Sequence, residues 1–201
     1  MIFIGITGGV GAGKSAILSY MRENYHCRVM LADEVAHDLM EPGSACYEKL
    51  RILFGADDVW EVDGRFDRAK LAAVLFSDEK KRTALNGIVH PAVKEYVIGQ
   101  YQAEKERGEL DFLVLEAALL IEENYDAVCD ELWYIYTSEE NRRMRLKENR
   151  GYSDAKVDSI FASQLSEEVI RAHCAEEIDN NETPEESFRQ IDAILKKHLP
   201  I

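Results

Sequence analysis

Eight residues near the amino end, Gly8-Gly9-Val10-Gly11-Ala12-Gly13-Lys14-Ser15, satisfy G-x-x-x-x-G-K-[ST] at every fixed position. They follow the apolar run Ile2-Phe3-Ile4-Gly5-Ile6 and lead into the helical pattern Ala16-Ile17-Leu18-Ser19-Tyr20-Met21. Strand, glycine loop and helix in that order are the setting in which this spacing holds phosphate. The glycines let backbone N–H groups wrap around phosphate oxygens, and the new helix points its positive end at them. Lys14 is expected to place a point charge on the β- and γ-phosphates, and the Ser15 hydroxyl to ligate Mg2+. The nucleotide contacts predicted from this loop are Gly9, Gly11, Ala12, Gly13, Lys14, Ser15 and Ala16. A glycine-rich turn without a ligand would not explain why the flanking periodicities switch where they do.

The chain is 201 residues long, enough for one domain with a proper core and a helical insertion. Its net charge of −14 argues against broad nucleic-acid or anionic-membrane binding, because both need a basic face. Positive charge for a polyphosphate must therefore be gathered locally, at Lys14 and along Arg142 to Arg150. Cys27, Cys46, Cys129 and Cys174 show neither C-x-x-C spacing nor partner histidines, and read as reduced thiols rather than zinc ligands. The chain opens on a strand with no basic leader and no cleavage site. Its longest apolar stretch, Phe112 to Ile121, is interrupted by Glu116 and is too short to span a bilayer. These features lead to the expectation of a cytoplasmic protein without membrane or nucleic-acid partners.

Three further runs read as buried parallel strands: Arg28 to Leu31, Phe112 to Leu115 and Leu132 to Tyr136, with a weaker fifth at Glu176 to Ile178. Helical patterns alternate with them at 16–23, 35–40, 47–54, 68–76, 78–86, 93–106, 139–148, 155–162 and 185–199. The alternation predicts an α/β fold, a three-layer doubly wound parallel sheet with ligands beyond the carboxyl ends of its strands. About eighty residues separate the second and third strands, far more than an ordinary crossover needs. They predict a helical substrate-binding insertion at about 33–107, with the core at about 1–32, 108–140 and 174–201 and a lid at about 141–173. Asp57 to Gly64 reads as an exposed turn within the insertion.

Asp33 follows the second strand, where a carboxylate can accept the proton of an attacking hydroxyl during in-line phosphoryl transfer. The same position suits an N-cap for a helix starting at Glu34, and both readings stand. Glu116 ends the third strand and is expected either to hold the Mg2+ shell through water or to pair with a loop lysine. Thr137-Ser138-Glu139-Glu140 reads as a capping box before a helix bearing Arg142, Arg143 and Arg145, with Arg150 just after it. Arg142 and Arg145 share a face and could clamp phosphates, whereas Glu139 is spaced to pair with Arg142 and Arg143 on the surface. His90 precedes Pro91, which suits the first position of a helix and makes His90 a capping or packing residue. Arg68 and Arg171 read as solvated or salt-bridged.

Together these residues resemble the dephospho-CoA kinase family over nearly the whole length. The likeness rests on Ile6 through Ser15, Ala32-Asp33 with Glu41-Pro42-Gly43, Arg68 with Leu71, and His90-Pro91. It continues through Leu119-Leu120-Ile121-Glu122, Gln164 and Ile178-Asp179-Asn180. The resemblance implies a P-loop, nucleoside-kinase-like fold and phosphorylation of the ribose 3′-hydroxyl of dephospho-CoA by ATP with Mg2+, the last step of coenzyme A synthesis. It implies that Asp33 is the base, that Lys14 and Ser15 handle ATP and magnesium, and that Arg68 and His90 help form the acceptor site. It also implies that Arg145 is a family arginine contacting ATP and that Asn180 approaches the adenine. A monomer acting on these two small molecules is expected. The chain departs from the family in Ala118 for proline, Leu31 for the first acid of Asp-Ala-Asp, Asn149-Arg150-Gly151 for Arg-Asp-Gly and Cys174-Ala175 for Ala-Asp.

The runner-up is another small-substrate P-loop kinase, such as a nucleoside monophosphate kinase, which would need a base pocket for its acceptor. A GTP-driven switch would need Asn-Lys-x-Asp and Asp-x-x-Gly, and neither occurs. A P-loop module that binds without transferring phosphate is disfavoured by the intact Lys14, Ser15 and Asp33.

Overall fold

A computed structural model of the protein describes residues 1–198. Five strands form one sheet: β1 (Ile2–Thr7), β2 (Cys27–Leu31), β3 (Phe112–Glu116), β4 (Glu131–Tyr136) and β5 (Glu176–Asp179), in the order β2-β3-β1-β4-β5. β1 runs parallel to β3, with Ile4 opposite Val114, and parallel to β4, with Gly5 opposite Leu132; β4 runs parallel to β5. The run Phe3 to Ile6 and the run Phe112 to Leu115 carry apolar side chains toward both faces, as a sheet covered on both sides requires. The chain winds to β2 and β3 on one side of β1 and then to β4 and β5 on the other. The exit of β1 thus lies where the winding reverses, the place where doubly wound sheets bind ligands.

Nine α-helices connect these strands among the described residues: α1 (Lys14–Asn24), α2 (Ala32–Leu39), α3 (Ala45–Leu53), α4 (Arg68–Ser77), α5 (Glu79–Arg107), α6 (Glu139–Arg150), α7 (Asp154–Ala162), α8 (Glu167–His173) and α9 (Pro184–Leu195). Backbone contacts divide the chain into two compact units, one made of Met1–Met30 and everything from Glu104 onward, the other of Leu31–Ala103. No helix among the described residues is long and apolar enough to cross a membrane.

Four expectations about local structure need correction. Pro91 does not open a helix; it lies inside α5, which absorbs the predicted helices at 78–86 and 93–106. Leu85, Val89, Val93 and Val97 recur at four-residue spacing and are all buried, so one apolar stripe runs straight past the proline. The acceptor left without its bond is the carbonyl of Gly87, and Gly87 and Pro91 are both exposed, so water can satisfy it. Asp33 is not an N-cap: α2 begins at Ala32, directly from β2, and Asp33 sits in its first turn. The capping box predicted at Thr137 to Glu140 does not form, because the helix is capped one residue later and the Thr137 hydroxyl bonds the Ala12 carbonyl. Ser138 is the cap and accepts from the N–H of Asn141, whose position would need Glu or Gln to return the bond. The segment 57–64 is a turn, but it is anchored: Val59 is buried and Trp60 stacks on Phe66 at 4.3 Å.

α8 carries no buried residue, which is why no apolar periodicity announced it. Arg171 fastens it, bonding Glu167 at 2.8 Å and Glu177 at 2.6 Å and lying over the Tyr136 ring at 4.7 Å. α9 starts with a capping box between Thr183 and Glu186. It ends at Leu195, earlier than the predicted Leu199, which lies outside the described residues. The four cysteines are free thiols, and burial pushes Cys27 up to about 11 and Cys174 up to about 12.

α9 is joined to α1 by a stack of Phe188 on Tyr20 at 4.1 Å and by Asp192, whose Oδ1 accepts from Tyr20 at 2.7 Å and Tyr25 at 2.5 Å. The bond to Asp192 raises the Tyr20 hydroxyl to about 12; burial first and that carboxylate second raise Tyr25. Replacing Asp192 with alanine strands two phenols at once and is expected to cost about 1–3 kcal/mol, read as a lower urea midpoint with an unchanged m-value. Because both tyrosines are raised in the folded state, the wild-type interaction is complete below pH 10 and fades through about 12.

Candidate active site

The loop between β1 and α1 is closed by its own backbone and by three side chains from elsewhere in the first unit. Gly13 adopts φ +85°, in the left-handed region open to glycine, and this bend lets α1 begin at Lys14. The N–H of Ala12 bonds the Gly9 carbonyl at 3.0 Å. The Ala12 carbonyl then receives Nδ2 of Asn180 at 2.7 Å, the Thr137 hydroxyl at 3.0 Å and, at 3.4 Å, Nη1 of Arg145. Asn180 cannot flip, because its Oδ1 accepts from the fully buried Ser187 hydroxyl at 2.8 Å. Arg145 also bonds the Asn180 carbonyl at 2.8 Å. Ser187 was signalled by no motif, and Thr137 only as the start of the predicted capping box, whereas its hydroxyl, placed just after β4, serves the Ala12 carbonyl instead.

Lys14 curls back over the loop, with Nζ 2.7 Å from the Gly8 carbonyl and 3.4 Å from Oε1 of Glu116. Of the two readings for Glu116, the pairing with a loop lysine is the contact made. Ser15 and Ala16 are exposed in the first turn of α1. Gly9 lies beneath Arg142: a Cβ built there would strike the guanidinium, so only glycine lets the two approach this closely. Nε of Arg142 donates to the Val10 carbonyl at 3.0 Å, Nη2 bonds Oε1 of Gln164, and the guanidinium lies 4.4 Å from the Phe161 ring centroid. Arg143 instead faces outward, bonded to Glu139 and Asp158 at 3.2 and 2.6 Å. Arg150 is exposed at the end of α6.

The second unit gathers its own polar group. Asp33, Glu34, His37, Asp38 and Arg68 line a cavity of about 440 Å³, and Nη2 of Arg68 contacts Nε2 of His37. Arg68 opens α4, whose N-cap Asp67 accepts from the N–H groups of Ala69 and Lys70. Arg68 also borders an adjoining cavity of about 210 Å³ with Phe66 and Leu71. His90 is half-buried in the middle of α5 and does not line either cavity.

Because the Ala12 carbonyl fixes the loop predicted to receive phosphate, removing one of its donors should be felt as lost nucleotide affinity. Thr137→Val deletes the buried hydroxyl at nearly constant shape and is expected to weaken ATP binding several-fold by calorimetry. Thr137→Ser keeps the bond and should stay close to wild type; equal losses in both variants would refute this account.

The chain matches a family model for dephospho-CoA kinase over residues 2–186. It is 36% identical over 194 residues to the dephospho-CoA kinase of Shouchella clausii, covering 96% of this chain and 97% of that one. It is 35% identical over 196 residues to the dephospho-CoA kinase of Geobacillus kaustophilus, covering 96% and 95%. A solved structure from Thermus thermophilus superposes with a TM-score of 0.79 at 30% identity, covering 99% of this chain and 98% of the other. A match of this extent, carried on a doubly wound sheet with the phosphate loop at the exit of β1, means that the chain belongs to the dephospho-CoA kinase family.

Proposed function

We propose that this protein transfers the γ-phosphoryl group of ATP to the ribose 3′-hydroxyl of dephospho-CoA, giving coenzyme A. The observation that carries this reading is the family match over residues 2–186, on a chain whose phosphate loop is intact from Gly8 to Ser15. Backbone N–H groups of the loop and the amino end of α1 would receive the β- and γ-phosphates. Lys14, held between the Gly8 carbonyl and Glu116, would exchange those partners for phosphate oxygens and follow the charge as it moves to the β–γ bridge.

Asp33 is assigned the proton of the attacking hydroxyl. Its support is its place in the first turn of α2, two residues beyond the end of β2, with an exposed carboxylate in a cavity shared with Arg68 and His37. Arg68 would bind and orient the acceptor there; His90 is assigned to the same acceptor site on the family likeness alone. Arg145 and Asn180 would act on ATP through the loop they hold.

Among the described residues no three His, Cys, Asp or Glu side chains gather into a metal cage. The oxygens near the loop are the exposed Ser15 hydroxyl and the Glu116 carboxylate, a set that fits magnesium, which keeps waters and takes its other ligands from phosphates. When bound, the ion would neutralise phosphate charge during transfer. Catalysis in the cytoplasm by a single subunit goes with this reading.

ADP release should be stimulated by dephospho-CoA and not by AMP, adenosine or shikimate; stimulation by a rival acceptor alone would end the assignment. Asp33→Asn is expected to lower kcat about a hundredfold or more while the KM for ATP stays near wild type. Equal losses in ATP binding and turnover would instead mark Asp33 as structural. Lys14→Ala should lose both, since its charge acts in the ground and transition states.

A further inference from the structure

We propose that Arg142 is the arginine of α6 that takes up phosphate oxygens from a bound substrate, a role that rests on the kinase reading above. The three arginines of the helix interior are not equivalent. Arg143 is spent on Glu139, Asp154 and Asp158 at the surface. Arg145 is spent on the Ala12 and Asn180 carbonyls and the Thr137 hydroxyl, where it braces the loop. Arg142 alone is both buried and without a counter-ion: it is 8% exposed, and among the described residues no carboxylate lies within ion-pair distance. Glu167 borders the same cavity, but its carboxylate is bonded to Arg171 at 2.8 Å.

A buried guanidinium that lacks a carboxylate is costly to keep, and burial does push its pKa down. The cost is met where an anion arrives to complete the pair. Two of the three guanidinium nitrogens are used, Nε on the Val10 carbonyl and Nη2 on Gln164, which fixes the plane of the fork. Nη1 has no acceptor and is not sealed from solvent, so two N–H donors remain available. The fork lines a cavity of about 340 Å³ together with Gly9 and Lys14, so it adds a second cation beside the phosphate loop. Phe161 against its face and glycine beneath it hold it there without adding a carboxylate that would compete.

The other wall of this cavity includes Leu119, Ile121, Ile160 and Leu165. A ligand suited to it carries phosphate at one end and a less polar body at the other. Dephospho-CoA, with a diphosphate joined to a long amide arm, has that character. The transferring phosphoryl group of ATP offers the same oxygens from the side of the loop. Phosphate is the shared chemistry, and kinetics separates the two sources.

The test compares wild type, Arg142→Gln, Arg142→Lys and Arg143→Gln for kcat, both KM values, melting temperature and calorimetric Kd for ATP and for dephospho-CoA. Arg142→Gln is expected to lose about ten- to a hundredfold in kcat/KM, with the melting temperature close to wild type. A rise confined to the KM and Kd for dephospho-CoA assigns the contact to the acceptor diphosphate. A fall in kcat, or a weaker Kd for ATP, assigns it to the transferring group. Arg142→Lys should recover part of the loss, because charge returns without the fork. Arg143→Gln should match wild type. The proposal is overturned if Arg142→Gln leaves every constant within twofold, or loses activity only in step with its folded fraction. Calorimetry with ATP needs no turnover, so a wild type inactive on dephospho-CoA would defeat the kinase reading while the ATP arm still decided the role of Arg142.

Discussion

The Ala12 carbonyl is the point on which this molecule's phosphate loop depends. A glycine-rich loop has the greatest freedom of any backbone to lose, and a nucleotide that had to order it would give up affinity in doing so. Asn180, Thr137 and Arg145 meet that one oxygen from the ends of β5 and β4 and from α6. Ser187 of α9 locks the amide in turn. The loop is therefore ordered before any ligand arrives, and its anchors are the strands on the far side of β1 from β2 and β3.

The same anchoring sorts the positive charge of an acidic chain. With a net charge of −14 the protein cannot attract polyphosphate by its overall field, so a few cations must act at close range. Lys14 is held over the loop by the Gly8 carbonyl and Glu116. Arg145 is committed to the loop's shape and Arg143 to the surface, which leaves Arg142 as the buried arginine of α6 with no carboxylate partner among the described residues. Four residues of one helix hold three arginines with three different fates, decided by which side of the helix each one faces.

Much of this molecule could be read from residue patterns. The five apolar runs all became strands because each is bounded by turn residues and alternates with helical periodicity. The phosphate loop was legible because its glycines and its Lys-Ser pair have few other uses. Pro91 misled because proline is a strong local signal, whereas Leu85, Val89, Val93 and Val97 act together over a longer span. α8 went unseen because it buries no residue of its own and is held by Arg171 meeting Glu177 and Tyr136, side chains of the two neighbouring strands, which no helical periodicity displays. The direction in which each arginine of α6 points could not be read, since Glu139 was equally placed for Arg142 and Arg143.

The order of residues by itself determined that this chain forms a doubly wound sheet with a phosphate loop at its first strand, because hydrophobic periodicity and glycine spacing are local properties. Tertiary structure decided what steadies that loop and which cation beside it stays free. Those outcomes depend on Thr137, Asn180 and Ser187 arriving together from separate elements. The bonds of Thr137 and Asn180 to Ala12 join residues 125 and 168 positions apart, a separation that leaves no spacing for a sequence to display.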